Sequence, residues 1–158
     1  MRTRKIIDRV LGIILSVIMG ILVLDVLWQV ASRYLLSTPS PFTDELAGFL
    51  LIWVGLLGAA YITGTHGHLA IDLLPSKLNS ENKRKLNLLI NILISAFAIT
   101  VLIIGGSWLV YTRFKFGQIS ASLSLPLGYV YLVLPISGIF IVYYSLSNSY
   151  FEFKSNIE

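Results

Sequence analysis

The chain has 158 residues, of which 56% are hydrophobic and only 13% charged, whereas a soluble domain typically carries about 25% charged residues. It contains no cysteine, which excludes a disulfide framework, thiolate metal sites and cysteine nucleophiles. The formal net charge is +4, but the basic residues flank apolar segments instead of forming the continuous basic surface of a nucleic-acid binder, so we predict no nucleic-acid partner.

Four apolar stretches are each long enough to cross a bilayer. A hydrocarbon core about 30 Å thick takes roughly 20 residues of helix, and the stretches lie near residues 10–31, 46–63, 86–110 and 126–147. The basic start of the chain resembles a signal peptide, but the first apolar run is too long and no small-residue cleavage site ends it. We therefore predict an all-α integral membrane protein with four transmembrane helices in a single domain over residues 1–158.

The first span contains one acidic residue, Asp25, and Gln29 and Arg33 follow it at i+4 and i+8 on the same helix face. An acid inside a span is a candidate for coupling transport to a proton or an ion. A single acid with no partner deeper in the membrane makes a poor relay, however, and Asp25 lies near the predicted end of its span. We therefore expect a structural role, with the carboxylate hydrogen-bonded to Gln29 or to another helix.

The second span begins after a proline-bearing segment that cannot continue the first helix. Asp44 and Glu45 lie at the positive end of the predicted helix, where acidic side chains are favourable. Arg33 closes the first span on the same side, so we predict that it pairs with one of these two acids. Trp53 falls in the middle of the span, and we expect it to face protein instead of lipid.

The second loop is the longest, and residues 68–78 within it form a short amphipathic stretch. We predict an interfacial segment there, with its apolar side against lipid or protein. His66 and His68 are the only histidines, and with Asp72 they do not provide the convergent, supported ligands that a metal site needs. Haem ligation and nucleophilic catalysis lack suitable residues too, so we predict neither a cofactor nor an enzyme.

Small and polar side chains recur at four-residue spacing on three of the spans. Such faces let helix backbones approach closely or hydrogen-bond across an interface. They offer more contact surface than a minimal bundle uses, which favours a partner in the membrane. The residues are Gly12, Ser16 and Gly20 on the first span, Gly55 and Ala59 on the second, and Asn87 and Asn91 on the third.

The third loop alternates two cations, Arg113 and Lys115, with Phe114 and Phe116. Aromatic and cationic side chains of this kind commonly anchor a protein in the lipid headgroups. The alternative is that the two cations contact a partner outside the membrane. In the fourth span, Pro135 predicts a kink unless neighbouring helices bind the freed carbonyl group.

The basic residues also predict an orientation. The N-terminal segment, the second loop and the C-terminal tail share one side of a four-span protein, and they carry nine of the 12 lysines and arginines. Because positive residues remain in the cytoplasm, we expect both termini there.

At this point a resemblance becomes specific. The chain resembles the small membrane subunit of tripartite ATP-independent periplasmic (TRAP) transporters, the DctQ-type family. The motifs that carry it cover nearly the whole chain in order: Arg33-Tyr34, Asp44-Glu45-Leu46, WVGLLGAA at 53–60, HLAIDLL at 68–74 and SLPLGY at 124–129. One departure is Phe42-Thr43 before the acidic pair, where the family often has a tryptophan.

The resemblance implies a role in the bacterial inner membrane. Such subunits pair with a large membrane subunit that carries the substrate and sodium sites, and a periplasmic binding protein delivers the substrate, typically an organic acid. The small subunit is regarded as a scaffold for the large one, whose transport domain moves like an elevator. The likeness is closest to the small subunits of sialic acid systems. It also implies that Arg113 and Lys115 lie on the side that meets the binding protein.

A second class of function stays open, namely a self-sufficient small transporter or exporter that works as an oligomer. Asp25 would then be its coupling acid. The small four-helix exporters, however, have short loops and a central acid in the first helix, whereas this chain has a long second loop and an off-centre Asp25.

Overall fold

The computed structural model of the chain describes residues 2–35, 40–65 and 80–154, with side chains described in 4–35, 40–65 and 85–149. Every regular element in the described residues is helical. In chain order these elements are α1 (Arg2–Leu35), α2 (Pro41–Gly64), α3 (Ser80–Phe97), a π-helical segment (Ala98–Gly105), α4 (Gly106–Lys115), α5 (Leu127–Tyr131) and α6 (Val133–Lys154).

Four helical stretches are long and apolar enough to cross a membrane. They are Arg4–Leu35, Pro41–Gly64, Lys85–Lys115 and Leu127–Ser149, and they confirm the predicted all-α membrane class. We call the last two the third and fourth spanning helices, since each joins more than one element. The interfacial segment predicted near 68–78 lies outside the described residues.

The contacts between the spanning helices join them in a row. α1 packs on α2, α2 packs on α6, and α6 packs on α3 and the π-helical segment. α2 and the fourth spanning helix therefore have a neighbour on each side, and the fourth spanning helix is the most buried of the four. The C-terminus of α1, the N-terminus of α2 and residues 116–126 lie together at one end of the helix axes, which we call the loop end. The opposite end is the terminal end.

α1 contacts its neighbour along one narrow seam. Buried and half-buried residues follow one another at alternating spacings of four and three, the pattern by which one helix keeps a single face against another. Most of the remaining apolar surface of α1 is exposed. The seam consists of Leu11, Leu15, Ile18, Leu22, Asp25, Gln29 and Ser32.

Glycines bring the third and fourth spanning helices into close contact. A Cβ atom added at Gly138 would lie 2.8 Å from Ile103 Cγ1, and one added at Gly106 would lie 2.7 Å from Leu134 Cβ. Both distances are shorter than any normal carbon–carbon contact. Only glycine therefore fits at these two positions without a shift of the facing helix.

The fourth spanning helix is interrupted one turn before Pro135. α5 ends at Tyr131 and α6 begins at Val133, because the proline ring supplies no N–H and crowds the preceding turn. The indole Nε1–H of Trp53 donates to the carbonyl oxygen of Val130 at 3.0 Å. Trp53 thus satisfies a backbone acceptor near the break, inside the apolar layer.

Polar side chains clasp three helices together at the terminal end. Arg4 donates to the carbonyl oxygen of Gly64 and to Asn148 Oδ1, the latter at 2.7 Å. Asn148 Nδ2 donates to the carbonyl oxygen of Thr63 at 3.0 Å. These bonds satisfy the last carbonyls of α2, which have no partner within their own helix. α1 begins well before its predicted apolar span because its first turns belong to this clasp.

Candidate functional site

Asp25 lies in the seam between α1 and α2. The residue is only 9% exposed, and its Oδ2 atom has no hydrogen-bond partner among the described residues. Gln29, the partner expected from the sequence, directs its amide elsewhere. Asp25 is therefore buried between the two helices, and in the described part of the chain its carboxylate does not bind the Gln29 amide as expected.

Asp44 and Arg33 face a shared cavity at the loop end. Gln29 Nε2 donates to Asp44 Oδ1 at 2.8 Å, which links α1 to the first turn of α2. Arg33 lines a cavity of about 270 Å³ together with Gln29, Ser40, Pro41 and Asp44. The hydrogen-bonding partner that the structure gives Asp44 is thus Gln29, and not the predicted Arg33.

Glu45 binds a row of backbone amides. Its Oε2 atom accepts hydrogen bonds from the N–H groups of Ser122 at 2.8 Å and Leu123 at 3.1 Å, and its Oε1 atom accepts one from Ala121 at 3.2 Å. Because the side chain belongs to α2, close to its N-terminus, these bonds tie the loop before α5 to that helix. The sequence predicts that Arg33 pairs with either Asp44 or Glu45, and no side-chain pattern points to a backbone partner for Glu45.

The loop held by Glu45 has a defined backbone. Ser120 N–H donates to the carbonyl oxygen of Leu125 at 2.8 Å, and Leu127 N–H donates to that of Gln118 at 2.9 Å. Ser124 has φ of 54° and Gly117 has φ of 57°, so both adopt the left-handed conformation. This region suits glycine but is uncommon for serine.

The two cations of the third loop have different surroundings. Arg113 is half-buried: it donates to Gln118 Oε1, and its guanidinium carbon lies 5.4 Å from the centre of the Tyr131 ring. Lys115 is exposed, with its ammonium 5.8 Å from the centre of the Tyr111 ring. Only Lys115 of this pair therefore presents its charge freely at the surface, although both were candidates for partner contacts.

The small-residue faces divide into packed and open positions. A Cβ added at Gly12 would lie 3.7 Å from the Tyr61 ring, whereas Gly20 and Gly55 have nothing within 4 Å. The remaining positions fall into both groups. Ser145 Oγ donates to the backbone carbonyl oxygen of Asn91 at 2.7 Å, and the side-chain Oδ1 of Asn91 lies 3.4 Å from it. Asn87 has an interaction partner, Ala59 lines a groove with α3 and α6, and Ser16 Oγ donates to a carbonyl within α1.

Among the described residues, no group of three His, Cys, Asp or Glu side chains could hold a metal ion. Both histidines lie outside that part of the chain. The arrangement at the loop end consists of hydrogen bonds and packing that hold the loop before α5 against α2.

The family model of the DctQ component of tripartite ATP-independent periplasmic transporters matches residues 21–154. The chain belongs to this family. The resemblance read from its motifs is therefore confirmed, and the protein is a TRAP transporter small permease in the membrane.

Individual relatives differ in the substrate that their names state. SiaQ of Vibrio cholerae serotype O1, a sialic acid TRAP transporter small permease protein, is 30% identical over 145 residues, covering 90% of this chain and 81% of its own. A TRAP transporter small permease protein of Haemophilus influenzae is 24% identical over 156 residues, 96% of this chain and 95% of that one. The C4-dicarboxylate TRAP transporter small permease protein DctQ of Rhodobacter capsulatus is 29% identical over 97 residues, 61% of this chain and 42% of that one.

Within this TRAP small permease, the motifs that carried the resemblance also carry the tertiary contacts described above. Glu45 of the acidic pair binds the loop that leads into SLPLGY, and Trp53 of WVGLLGAA binds the carbonyl oxygen of Val130, the residue after SLPLGY. Gly128 of SLPLGY leaves room for the Phe114 ring, since a Cβ there would lie 2.5 Å from it. Three of the motifs, the acidic pair, WVGLLGAA and SLPLGY, are therefore connected by these contacts.

Proposed function

We propose that this TRAP small permease scaffolds a large membrane subunit in a sodium-coupled importer of an organic acid, and that a periplasmic binding protein delivers the substrate. Family membership supports the general role. Sialic acid is the first substrate to test because SiaQ of Vibrio cholerae is 30% identical to this chain over 90% of its length.

The observation that best supports a scaffolding role is the large apolar surface that the described helices leave exposed. The spanning helices form a row, most of α1 is exposed, and apolar grooves of about 520 and 300 Å³ open between helices. Gly20 and Gly55 add open positions where another helix can approach closely. A large membrane subunit would cover part of this surface, with lipid on the rest.

The proposed orientation places the loop end in the periplasm and both termini in the cytoplasm. The basic N-terminal segment and the second loop support it, since Lys and Arg are retained on the cytoplasmic side. It also directs the loop fixed by Glu45 towards the binding protein.

The test is uptake by the complete complex in proteoliposomes. We expect sialic acid to enter only when this chain, its large subunit, the binding protein and a sodium gradient are all present. A C4-dicarboxylate serves as the comparison substrate. Transport by this chain without a large subunit would contradict the proposal and favour the small-exporter alternative, in which Asp25 couples transport.

A further inference from the structure

We propose that Glu45 is a positioning residue for docking, which holds the loop-end segment 117–126 in the conformation that receives the periplasmic binding protein. The inference deepens the proposed function and rests on it. It assigns to Glu45 a task distinct from pairing with a cation.

The first argument is the geometry of the carboxylate. One side chain accepts from three successive N–H groups, those of residues 121, 122 and 123. Ser120 Oγ also accepts from Leu123 N–H at 3.2 Å, and Ser120 itself is buried. Charge-assisted bonds to backbone N–H groups are shorter and stronger than neutral ones. Glu45 is therefore the attachment point of the loop to α2.

The second argument is the backbone conformation that these bonds retain. Ser124 has φ of 54°, a left-handed conformation that costs free energy in a residue with a Cβ atom. Such a conformation persists only where the surroundings fix it, and it is found preferentially at functional positions. The turn at Ser124 lies between the segment held by Glu45 and the start of α5.

The third argument is what the fixed loop presents. Gln118, Ile119 and Leu125 of this loop are exposed, and so are Lys115 and Phe116, which precede it at the end of α4. In residues 112–130 the only charged side chains are the cations Arg113 and Lys115. An apolar surface with a free cation fits a partner whose contact face is apolar and acidic. We commit to the binding protein as this partner, because it is the soluble component on the proposed side of the membrane.

The experiment compares Glu45→Gln and Glu45→Asp with Asp44→Asn as the matched control. Glu45→Gln removes the charge, Glu45→Asp keeps the charge but shortens its reach, and Asp44→Asn removes the adjacent charge, which does not contact the loop. A spin label on Ser122→Cys reports loop mobility, since the chain has no other cysteine. Uptake is measured as a function of binding-protein concentration in the assembled complex.

Both Glu45 variants should increase the mobility of the label and raise the binding-protein concentration for half-maximal uptake by roughly tenfold, the factor that 1.4 kcal/mol represents. Maximal uptake at excess binding protein should stay unchanged, as should both readouts for Asp44→Asn. If one Glu45 variant does not assemble, the other supplies the measurement. A role confined to stability would instead lower the yield of complex or the maximal rate.

The other outcomes overturn the inference in distinguishable ways. Unchanged label mobility means that Glu45 does not hold the loop. A more mobile label with an unchanged half-maximal concentration means that the loop does not receive the binding protein, and that its aromatic residues contact lipid headgroups. If the unmodified complex shows no uptake that depends on binding protein, the proposed function itself fails.

Discussion

At the scale of single residues, Asp44 and Glu45 show how neighbours in sequence acquire different tasks. Successive helical residues point about 100° apart, since a turn contains about 3.6 residues, so one acid faces α1 and the other faces the loop before α5. The sequence predicts two acids at the start of a helix. It cannot predict their partners, because the loop amides that bind Glu45 leave no mark in the side-chain pattern.

Asp25 should have a structural role. We expect Asp25→Asn to leave sodium-dependent uptake within a few-fold of the unmodified complex, because the carboxylate is packed in the seam of α1 and the asparagine amide has nearly the same shape. Proteoliposome uptake with and without a sodium gradient checks this. Loss of sodium dependence in a complex that assembles normally would make Asp25 a coupling acid.

Trp53 should stabilise the interruption in the fourth spanning helix. Trp53→Phe removes the indole N–H and leaves the Val130 carbonyl without its donor, which should cost about 1–3 kcal/mol of unfolding free energy. Denaturant or thermal unfolding in detergent measures the loss. The control is Trp108→Phe, since Trp108 is exposed and its ring only neighbours that of Tyr111. Equal effects of the two changes would contradict the assigned role of Trp53.

At the scale of elements, the four spans follow from length and apolar content, and the structure has a spanning helix at each. The helix ends are less predictable. α1 extends to Arg2 because its polar first turns bind α2 and α6, a tertiary cause that composition does not reveal. The close contacts at Gly106 and Gly138 depend on which helices pack together, as does the π-helical segment. The spacing of residues within one helix does not predict which helix will be its neighbour.

Gly138 and Gly20 allow a direct test of close helix contact. Gly138→Ala should lower the unfolding free energy by about 1–3 kcal/mol, because the new methyl group would overlap Ile103 and Leu102. Gly20→Ala should be neutral or stabilising by about 0.5–1 kcal/mol, since the position is open and alanine favours helix. Unfolding of both variants in the same detergent provides the measurement. A stable Gly138→Ala variant would mean that the two helices lie further apart.

At the scale of the whole molecule, the row of helices follows from the order of contacts and could not be read from the sequence. A four-span pattern is equally compatible with a closed bundle, as the apolar residues of α1 surround the helix and mark no single face. The seam of α1 becomes visible only once α2 identifies which residues are buried. Three of the seven seam residues, Asp25, Gln29 and Ser32, are polar, so apolar character alone does not mark the buried side of α1.

Topology is the prediction that belongs to this scale. Single cysteines in a chain that has none of its own report accessibility cleanly. A cysteine at Asn79 should react with an impermeant maleimide only after the cytoplasmic side is opened, and one at Gln118 should react in intact spheroplasts. Reaction of both from the same side would refute the four-span arrangement.

The clasp at the terminal end also constrains when the protein can complete its structure during synthesis. Arg4 and Asn148 are 144 positions apart, so their bond cannot form until the fourth spanning helix has left the ribosome. Until then the Thr63 carbonyl of α2 lacks the donor that Asn148 supplies, whereas Arg4 of α1 can already bind the Gly64 carbonyl. Contacts between distant parts of a chain form late for this reason. We therefore expect the terminal end of the nascent subunit to close only after its last spanning helix has entered the membrane.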